Sequence, residues 1–226
     1  MVKCCKYFYA KNKLLIVQYP QSNGDNNLIA GINDKDIRRI PDHFNHRMWI
    51  TNSFSILEFY MPNLTSTLLS KTEFCDITWL SLNEQNITWN EFLLLTSSKK
   101  ITNCNLSNVE INTDKNESAF FEDVIEQLPA LKWFDFVRKN GDPCITSATV
   151  SKILKLPTFI NLEKLYIKNL PEAFDLAGFK PFIDSYVKTT FVIGFIPSLS
   201  EDAVKRLSKL KKEMLPPGPR RLHIDF

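Results

Sequence analysis

From about residue 75 onward, short runs rich in β-branched and aromatic residues alternate five times with segments whose apolar positions recur at helical spacing. The expected strands are Ile77 to Leu82, Ile101 to Leu106, Leu131 to Val137, Leu162 to Ile167 and Thr189 to Ile196. The first helix is expected from Thr88 to Thr96, where Thr88 and Glu91 form an S/T-x-x-E capping box. The second spans Ala119 to Leu128, with Phe120, Val124, Ile125 and Leu128 on its apolar face and Pro129 as its stop. After the Asn140 to Pro143 turn, a third helix carries Val150, Ile153 and Leu154 and ends at Pro157. A fourth lies around Asp175 to Tyr186. A fifth runs from Ser200 to Met214, with Val204, Leu207, Leu210, Met214 and Leu215 as its apolar stripe, before Pro216, Pro217 and Pro219.

Strand, helix and strand in this order call for parallel pairing, because each helix carries the chain back along the sheet. The strand starts at 77, 101, 131, 162 and 189 lie about 24 to 31 residues apart, the range of a repeat protein. Within the units a finer register appears. Ile77-x-x-Leu80-x-Leu82-x-x-Gln85-x-Ile87 follows the leucine-rich template with Gln in place of Asn. Ile101-x-x-Cys104-x-Leu106, Leu131-x-x-Phe134-x-Phe136 and Leu162-x-x-Leu165-x-Ile167 repeat its first half, and Asn169 stands one place early. The expected fold is therefore α/β: an irregular leucine-rich-repeat-like solenoid of parallel strands alternating with helices, over residues 71–215. Residues 1–70, with a strand or hairpin over Tyr7 to Tyr19 and a short helix at Leu64 to Leu69, are expected to cap its first strand, and 216–226 to form a tail. The alternative is an ordinary open α/β sheet with helices on both faces.

Alternation within each strand sorts side chains between two faces. With Leu80 and Leu82 turned to the core, Trp79 and Ser81 point away. The same register turns out Asn103 and Asn105, then Trp133 and Asp135, then Lys164 and Tyr166. Stacked across parallel strands, these eight residues form a mixed aromatic and polar ladder, the composition of a protein-binding patch. The polar members Asn103, Asn105, Asp135 and Lys164 make full burial of that face costly.

Composition removes several chemistries. The chain of 226 residues is 44% hydrophobic and 23% charged, a globular profile with room for a core without disulfides or metals. Its six glycines, at 24, 31, 141, 178, 194 and 218, cannot form a dinucleotide fingerprint, a Walker loop or a nucleophile elbow. The net charge of +3 does not advertise a nucleic-acid partner. Five scattered cysteines (4, 5, 75, 104 and 144) and an amino terminus without a long apolar run suggest an intracellular protein, cytoplasmic or nuclear. The four Asn-x-Ser/Thr sequons, at Asn63, Asn86, Asn105 and Asn116, are close to what composition yields by chance.

The remaining chemical candidates read more simply as structure. His43-x-x-His46 with Cys4 and Cys5 lacks the two paired-ligand halves of a structural zinc site, so no metal is expected. Glu122-Asp123 and Glu201-Asp202 stand in first helical turns, where the helix dipole favours them. Lys205, Arg206, Lys209, Lys211 and Lys212 form the solvated face of the last helix, which carries no Trp or Phe for a membrane surface. No catalytic residue and no cofactor is expected. The rival class, an enzyme on an open sheet, requires a deep pocket at the carboxyl ends of the strands.

The segments 88–98 (TWNEFLLLTSS), 121–129 (FEDVIEQLP) with Leu131, and 161–175 (NLEKLYIKNLPEAFD) resemble the carboxy-terminal halves of nematode-expanded F-box and F-box-like proteins, over roughly residues 40 to 212. The resemblance implies a leucine-rich-like module that recruits protein substrates for a cullin-based ubiquitin ligase. The F-box itself opens on Leu-Pro followed by amphipathic helices. Ile40-Pro41 is the nearest candidate, and His43, Asn45, His46, Arg47, Trp49, Thr51 and Asn52 after it lack helical apolar spacing. A protein partner is thus expected, and the ligase adaptor only if an F-box-like segment exists.

Overall fold

The computed structural model describes residues 14–22, 28–32, 36–39, 47–57, 61–139, 145, 148–156, 160–214 and 222–226. The chain is an α/β protein built on one open ten-stranded sheet, eight of whose strands are parallel. In chain order the elements are β1 (Leu14–Ser22), β2 (Leu28–Ile32), β3 (Asp36–Arg39), β4 (Arg47–Ile56), α1 (Leu64–Leu69), β5 (Thr72–Asn83), β6 (Asn86–Thr88) and α2 (Trp89–Leu95). There follow β7 (Asn103–Ser107), β8 (Glu110–Asn112), α3 (Phe121–Glu126), β9 (Trp133–Val137), α4 (Thr149–Ile153), β10 (Lys164–Leu170), α5 (Leu176–Ser185), β11 (Thr190–Phe195), α6 (Glu201–Met214) and β12 (Leu222–Asp225).

The spatial order is β12-β11-β10-β9-β7-β5-β4-β1-β2-β3, so each parallel strand lies beside the parallel strand before it in the chain. That order decides where the helices go. A sheet with a reversal in strand order places helices on both faces, whereas crossovers of one hand that always step the same way place them all on one. The burial pattern agrees. Leu80, Cys104, Phe134, Leu165, Phe191 and Leu222 form one inward row across six strands in register. Leu82, Leu106, Phe136, Ile167, Ile193 and Ile224 form a second, and all twelve side chains are buried. Against them pack Phe92 and Leu95 of α2, Phe121, Val124 and Ile125 of α3, Ile153 of α4, Leu176, Phe179 and Phe182 of α5, and Leu207 of α6.

The units are joined at both ends of the strands. Before them, Thr102 N–H donates to Thr78 O, Lys132 and Trp133 donate to Thr102 O, Glu163 and Lys164 to Lys132 O, and Thr190 to Glu163 O. After them, Glu84 N–H donates to Ser107 O, Asn108 N–H to Val137 O and Arg138 N–H to Lys168 O. Glu84, Asn108 and Asn169 occupy the left-handed backbone region (φ 53°, 53° and 59°), each two residues past the second inward row at Leu82, Leu106 and Ile167. Asparagine tolerates that region better than most residues, so the turns at Asn108 and Asn169 form without glycine.

Several local expectations hold. The capping box of α2 is complete: Thr88 N–H donates to Glu91 Oε2 (2.7 Å) and Glu91 N–H to Thr88 Oγ1 (3.2 Å). The helix expected around Asp175 to Tyr186 is present as α5, and Asp175 caps it through Gly178 N–H (2.8 Å). Others need correction. Phe120 is 42% exposed; it precedes α3 in extended backbone, and Phe121 takes the buried place, packed on Phe134 and Phe136. In α6 the buried stripe is Ala203, Leu207 and Met214 with Leu210 partly buried, and Val204 lies on the exposed side. A helical stripe at spacings of four and three passes through Ala203, a small side chain that gives little hydrophobic signal in the sequence.

The parallel stacking also continues beyond residues 71–215. β4 and β1 extend the sheet at one end, with β2 and β3 antiparallel beyond them, and β12 extends it at the other from within the tail. Tyr7 to Lys13, Cys4, Cys5, His43, His46, the Asn140 to Pro143 turn, Cys144, Pro157, Leu215 and the prolines at 216, 217 and 219 lie outside the described residues.

Candidate functional site: the bare face of the sheet

The residues that alternate with the two buried rows stand on the opposite face, in two cross-strand rows. Trp79, Asn103, Trp133 and Lys164 are direct neighbours across β5, β7, β9 and β10, and Ser81, Asn105, Asp135 and Tyr166 form the row beside them. All eight expected ladder residues are therefore brought together. Their exposures differ, however. Trp79 (47%) and Trp133 (40%) stand out, Lys164 is exposed, and Asn103, Asn105, Asp135 and Tyr166 are half-buried. Ser81 is buried, so it lies under the ladder and offers little contact area.

Aromatic and cationic side chains interleave along β9 and β10. The Trp133 and Tyr166 rings lie 6.2 Å apart. The Lys164 ammonium sits 4.8 Å from the Trp133 centroid, and Lys168 lies 5.7 Å from that of Tyr166. On the other side of Trp133, a shallow cleft of about 90 Å³ is lined by Trp79, Asn103, Cys104, Asn105, Trp133 and Asp135. Asn105 Oδ1 and Asp135 Oδ1, on two of its lining residues, are shielded from solvent and meet no hydrogen-bond donor among the described residues.

Burial raises the Asp135 carboxyl above the usual aspartate range, and the field of Lys168 offsets only part of this. Because the folded protein holds that proton more readily than the unfolded chain, stability falls as pH rises from the ordinary aspartate range through the raised value. Asp135→Asn is expected to remove this loss. Melting temperatures of the two proteins should diverge in favour of the variant as pH rises across that interval, and parallel curves would refute the assignment.

The same face extends further than the ladder. Trp49 of β4 and the half-exposed Phe74 of β5 meet edge to face at 6.3 Å and, with Cys75, Asp76, Ser97 and Ser98, line a larger cleft of about 300 Å³. Asp76 is joined there to Lys100 at 2.9 Å. The signal for Phe74 and Asp76 was present in the sequence, since they alternate with the buried Cys75 and Ile77. A strand begun at Ile77 hides it, as does the bulge that inserts Thr78 before Trp79.

Other chemically suggestive groups are held structurally. Glu122 is buried, accepts from Thr149 Oγ1 (2.8 Å) and pairs with Lys152 (2.9 Å), tying α3 to α4. Burial pushes the Cys75 thiol up to about 12 and the Cys104 thiol higher still, so neither is a thiolate at neutral pH. Among the described residues no cluster of three His, Cys, Asp or Glu side chains could hold a metal ion, and no helix is long and apolar enough to cross a membrane. No protein-family model, curated protein or solved structure matches the chain.

Proposed function

We propose that this chain is a non-enzymatic protein-interaction module, an irregular leucine-rich-like solenoid that binds a protein partner across the bare face of its sheet. The observation that carries the reading is the in-register ladder of Trp79, Asn103, Trp133 and Lys164 beside Asn105, Asp135 and Tyr166 on a face where both tryptophans are exposed. Large, rigid aromatic anchors with adaptable polar neighbours are the composition of binding hot spots. The solenoid reading is supported by the unbroken sequential strand order and by side chains that brace successive turns. Asn108 Nδ2 donates to Glu84 Oε1 (2.7 Å) and Asn169 Nδ2 to Arg138 O (3.1 Å). Gln85, at the template's asparagine position, is fully buried and bonds backbone carbonyls at Met61, Asn83 and Glu84.

The resemblance to F-box-like proteins extends the proposal to a substrate receptor of a ubiquitin ligase. The ligase link rests on that resemblance alone, because Ile40-Pro41 lies outside the described residues. Binding is favoured over catalysis by the position of the larger cleft, which lies toward the amino ends of β4 and β5 and whose carboxylate, Asp76, is paired with Lys100. Affinity capture of cellular partners by the wild type, Trp133→Ala and Tyr166→Ala proteins tests the proposal. At least one partner should fall by about thirtyfold or more with Trp133→Ala; unchanged partner sets for both variants would exclude this face.

A further inference from the structure

We infer that the protein partner meets this face through an acidic segment in extended conformation, laid along β10 and β11 with one carboxylate at the Lys164 ammonium and a second, four residues on, at that of Lys168. The inference rests on the bare face being the binding surface, and it names the chemistry that surface takes.

The charges left open on this face set the sign of the occupant. Lys164 and Lys168 are both exposed, and neither has a carboxylate within 4.0 Å among the described residues. Each ammonium lies instead over a ring, 4.8 Å from the centroid of Trp133 and 5.7 Å from that of Tyr166. A ring face attracts a cation without neutralising it and leaves most of its N–H donors free for an anion. With both lysines drawn over them, the two rings are poorly placed to stack a base or a planar cation. Elsewhere on the face Lys100 is taken up by Asp76 at 2.9 Å. The carboxylates that share the lysines' part of it are Asp135, beside Tyr166 on β9, and Asp225 on β12.

Strand geometry sets the spacing. Lys164, Tyr166 and Lys168 alternate along β10, so the two lysines stand about 13 Å apart at the backbone with the tyrosine between them. An extended chain covers the same distance in four residues, and its central side chain then falls on Tyr166. The segment lies toward β11 because the side chains there are short. Thr190 and Val192 are half-buried, and a Cβ on Gly194 would stand 3.4 Å from Lys168 Cγ, so the glycine leaves that stem its room. On the β9 side, the bulk of Trp133 and the charge of Asp135 close the approach to a carboxylate. Lys164 is the stronger of the two contacts. Its direct neighbours, Trp133 and Thr190, are uncharged, whereas Asp135 stands diagonal to Lys168 and Asp225 two strands beyond it. Single carboxylates suit these places better than phosphates, because β9, β10 and β11 carry no arginine fork and a dianion would meet Asp135 and Asp225 with twice the charge.

The test uses the full chain, isotope-labelled at nitrogen, with the Trp133 indole N–H signal assigned through Trp133→Phe. A capped pentapeptide with glutamate at both ends, leucine at the centre and serine between is titrated in at low salt. Peptides with glutamine, lysine or phosphoserine in place of glutamate, and an oligothymidylate, serve as comparisons. The Trp133 indole and the amides of β10 should shift and saturate at millimolar glutamate peptide. The glutamine peptide should bind at least about fivefold more weakly, as two exposed ion pairs allow. Lys164→Glu should weaken the glutamate peptide by a similar factor and tighten the lysine peptide, with Lys168→Glu the smaller change. Both lysines are exposed, so the amide spectra of these variants should stay dispersed. Equal binding of the glutamine peptide, no exchange of preference in Lys164→Glu, tighter binding of the phosphoserine peptide or the oligonucleotide, or no shift up to about 50 mM would overturn the inference. The two readings fail separately. Partners lost with Trp133→Ala but retained by Lys164→Glu leave an interface whose partner is not held by acidic groups. Glutamate peptide bound with these preferences while every partner is retained by Trp133→Ala and Tyr166→Ala keeps the strip's chemistry but removes the interface.

Discussion

Replacing Gln85 by alanine is expected to lower the free energy of unfolding by about 3–4 kcal/mol. The side chain is fully buried between the end of β5 and the start of α1. Its Oε1 accepts from both Thr65 N–H (3.0 Å) and Thr65 Oγ1 (2.9 Å), and its Nε2 donates to Met61 O (3.0 Å). Removing the amide leaves the buried backbone donor and hydroxyl of Thr65 without this acceptor, while Met61 O keeps Leu64 N–H (3.1 Å), and it opens a cavity beside them. The first effect costs more than the second, because each unmet buried group forfeits its desolvation energy while the cavity removes only a short polar stem. Equilibrium denaturation followed by circular dichroism measures the change. A loss below about 1 kcal/mol would mean that residues 61–65 are not anchored to the sheet through this amide.

That position also shows how much could be read from the chain alone. The pattern Ile77-x-x-Leu80-x-Leu82-x-x-Gln85-x-Ile87 singled out Gln85 as a polar position between apolar ones, and the fold buries it there and pairs its amide. The five strands from Ile77 onward, the helix cap at Thr88 and the eight ladder residues were legible for a similar reason: period-two alternation and capping are local rules, written within a few residues. Strand neighbours are not local. The sequential order of β1, β4 and β5 depends on contacts across residues whose own pattern is short or interrupted, and Arg47–Ile56, with its polar Thr51 to Ser53, resembled a cap more than a strand. The β12 strand is four residues long and follows a proline-rich stretch, too brief for alternation to register. Phe120 and Phe121 were indistinguishable because a helix start is uncertain by a residue, and one residue turns a side chain by about 100°. The unpartnered oxygens of Asn105 and Asp135 had no sequence signal at all, since satisfaction of a polar group depends on which donors the fold brings near.

Two adjacent residues of β9 test the one-sided layering on which the binding face depends. Phe134 is fully buried, with Phe121 5.8 Å away and Phe136 5.6 Å away, and Phe134→Ala is expected to cost about 3–5 kcal/mol of stability through lost burial and the cavity left among those rings. Trp133 is the larger side chain but stands 40% exposed on the opposite face, beside Tyr166 and Lys164. Its truncation should cost about 1 kcal/mol, because water already reaches much of the ring. A second helical layer would bury both residues and make Trp133→Ala the more damaging change, since indole carries more apolar surface than phenyl. The ratio of the two losses in matched denaturation curves therefore decides the matter. A ratio of about three or more in favour of Phe134 places the helices on one side and leaves Trp133 free for a partner; comparable losses mean that something covers the ladder, and the partner-binding role of that face would have to be abandoned.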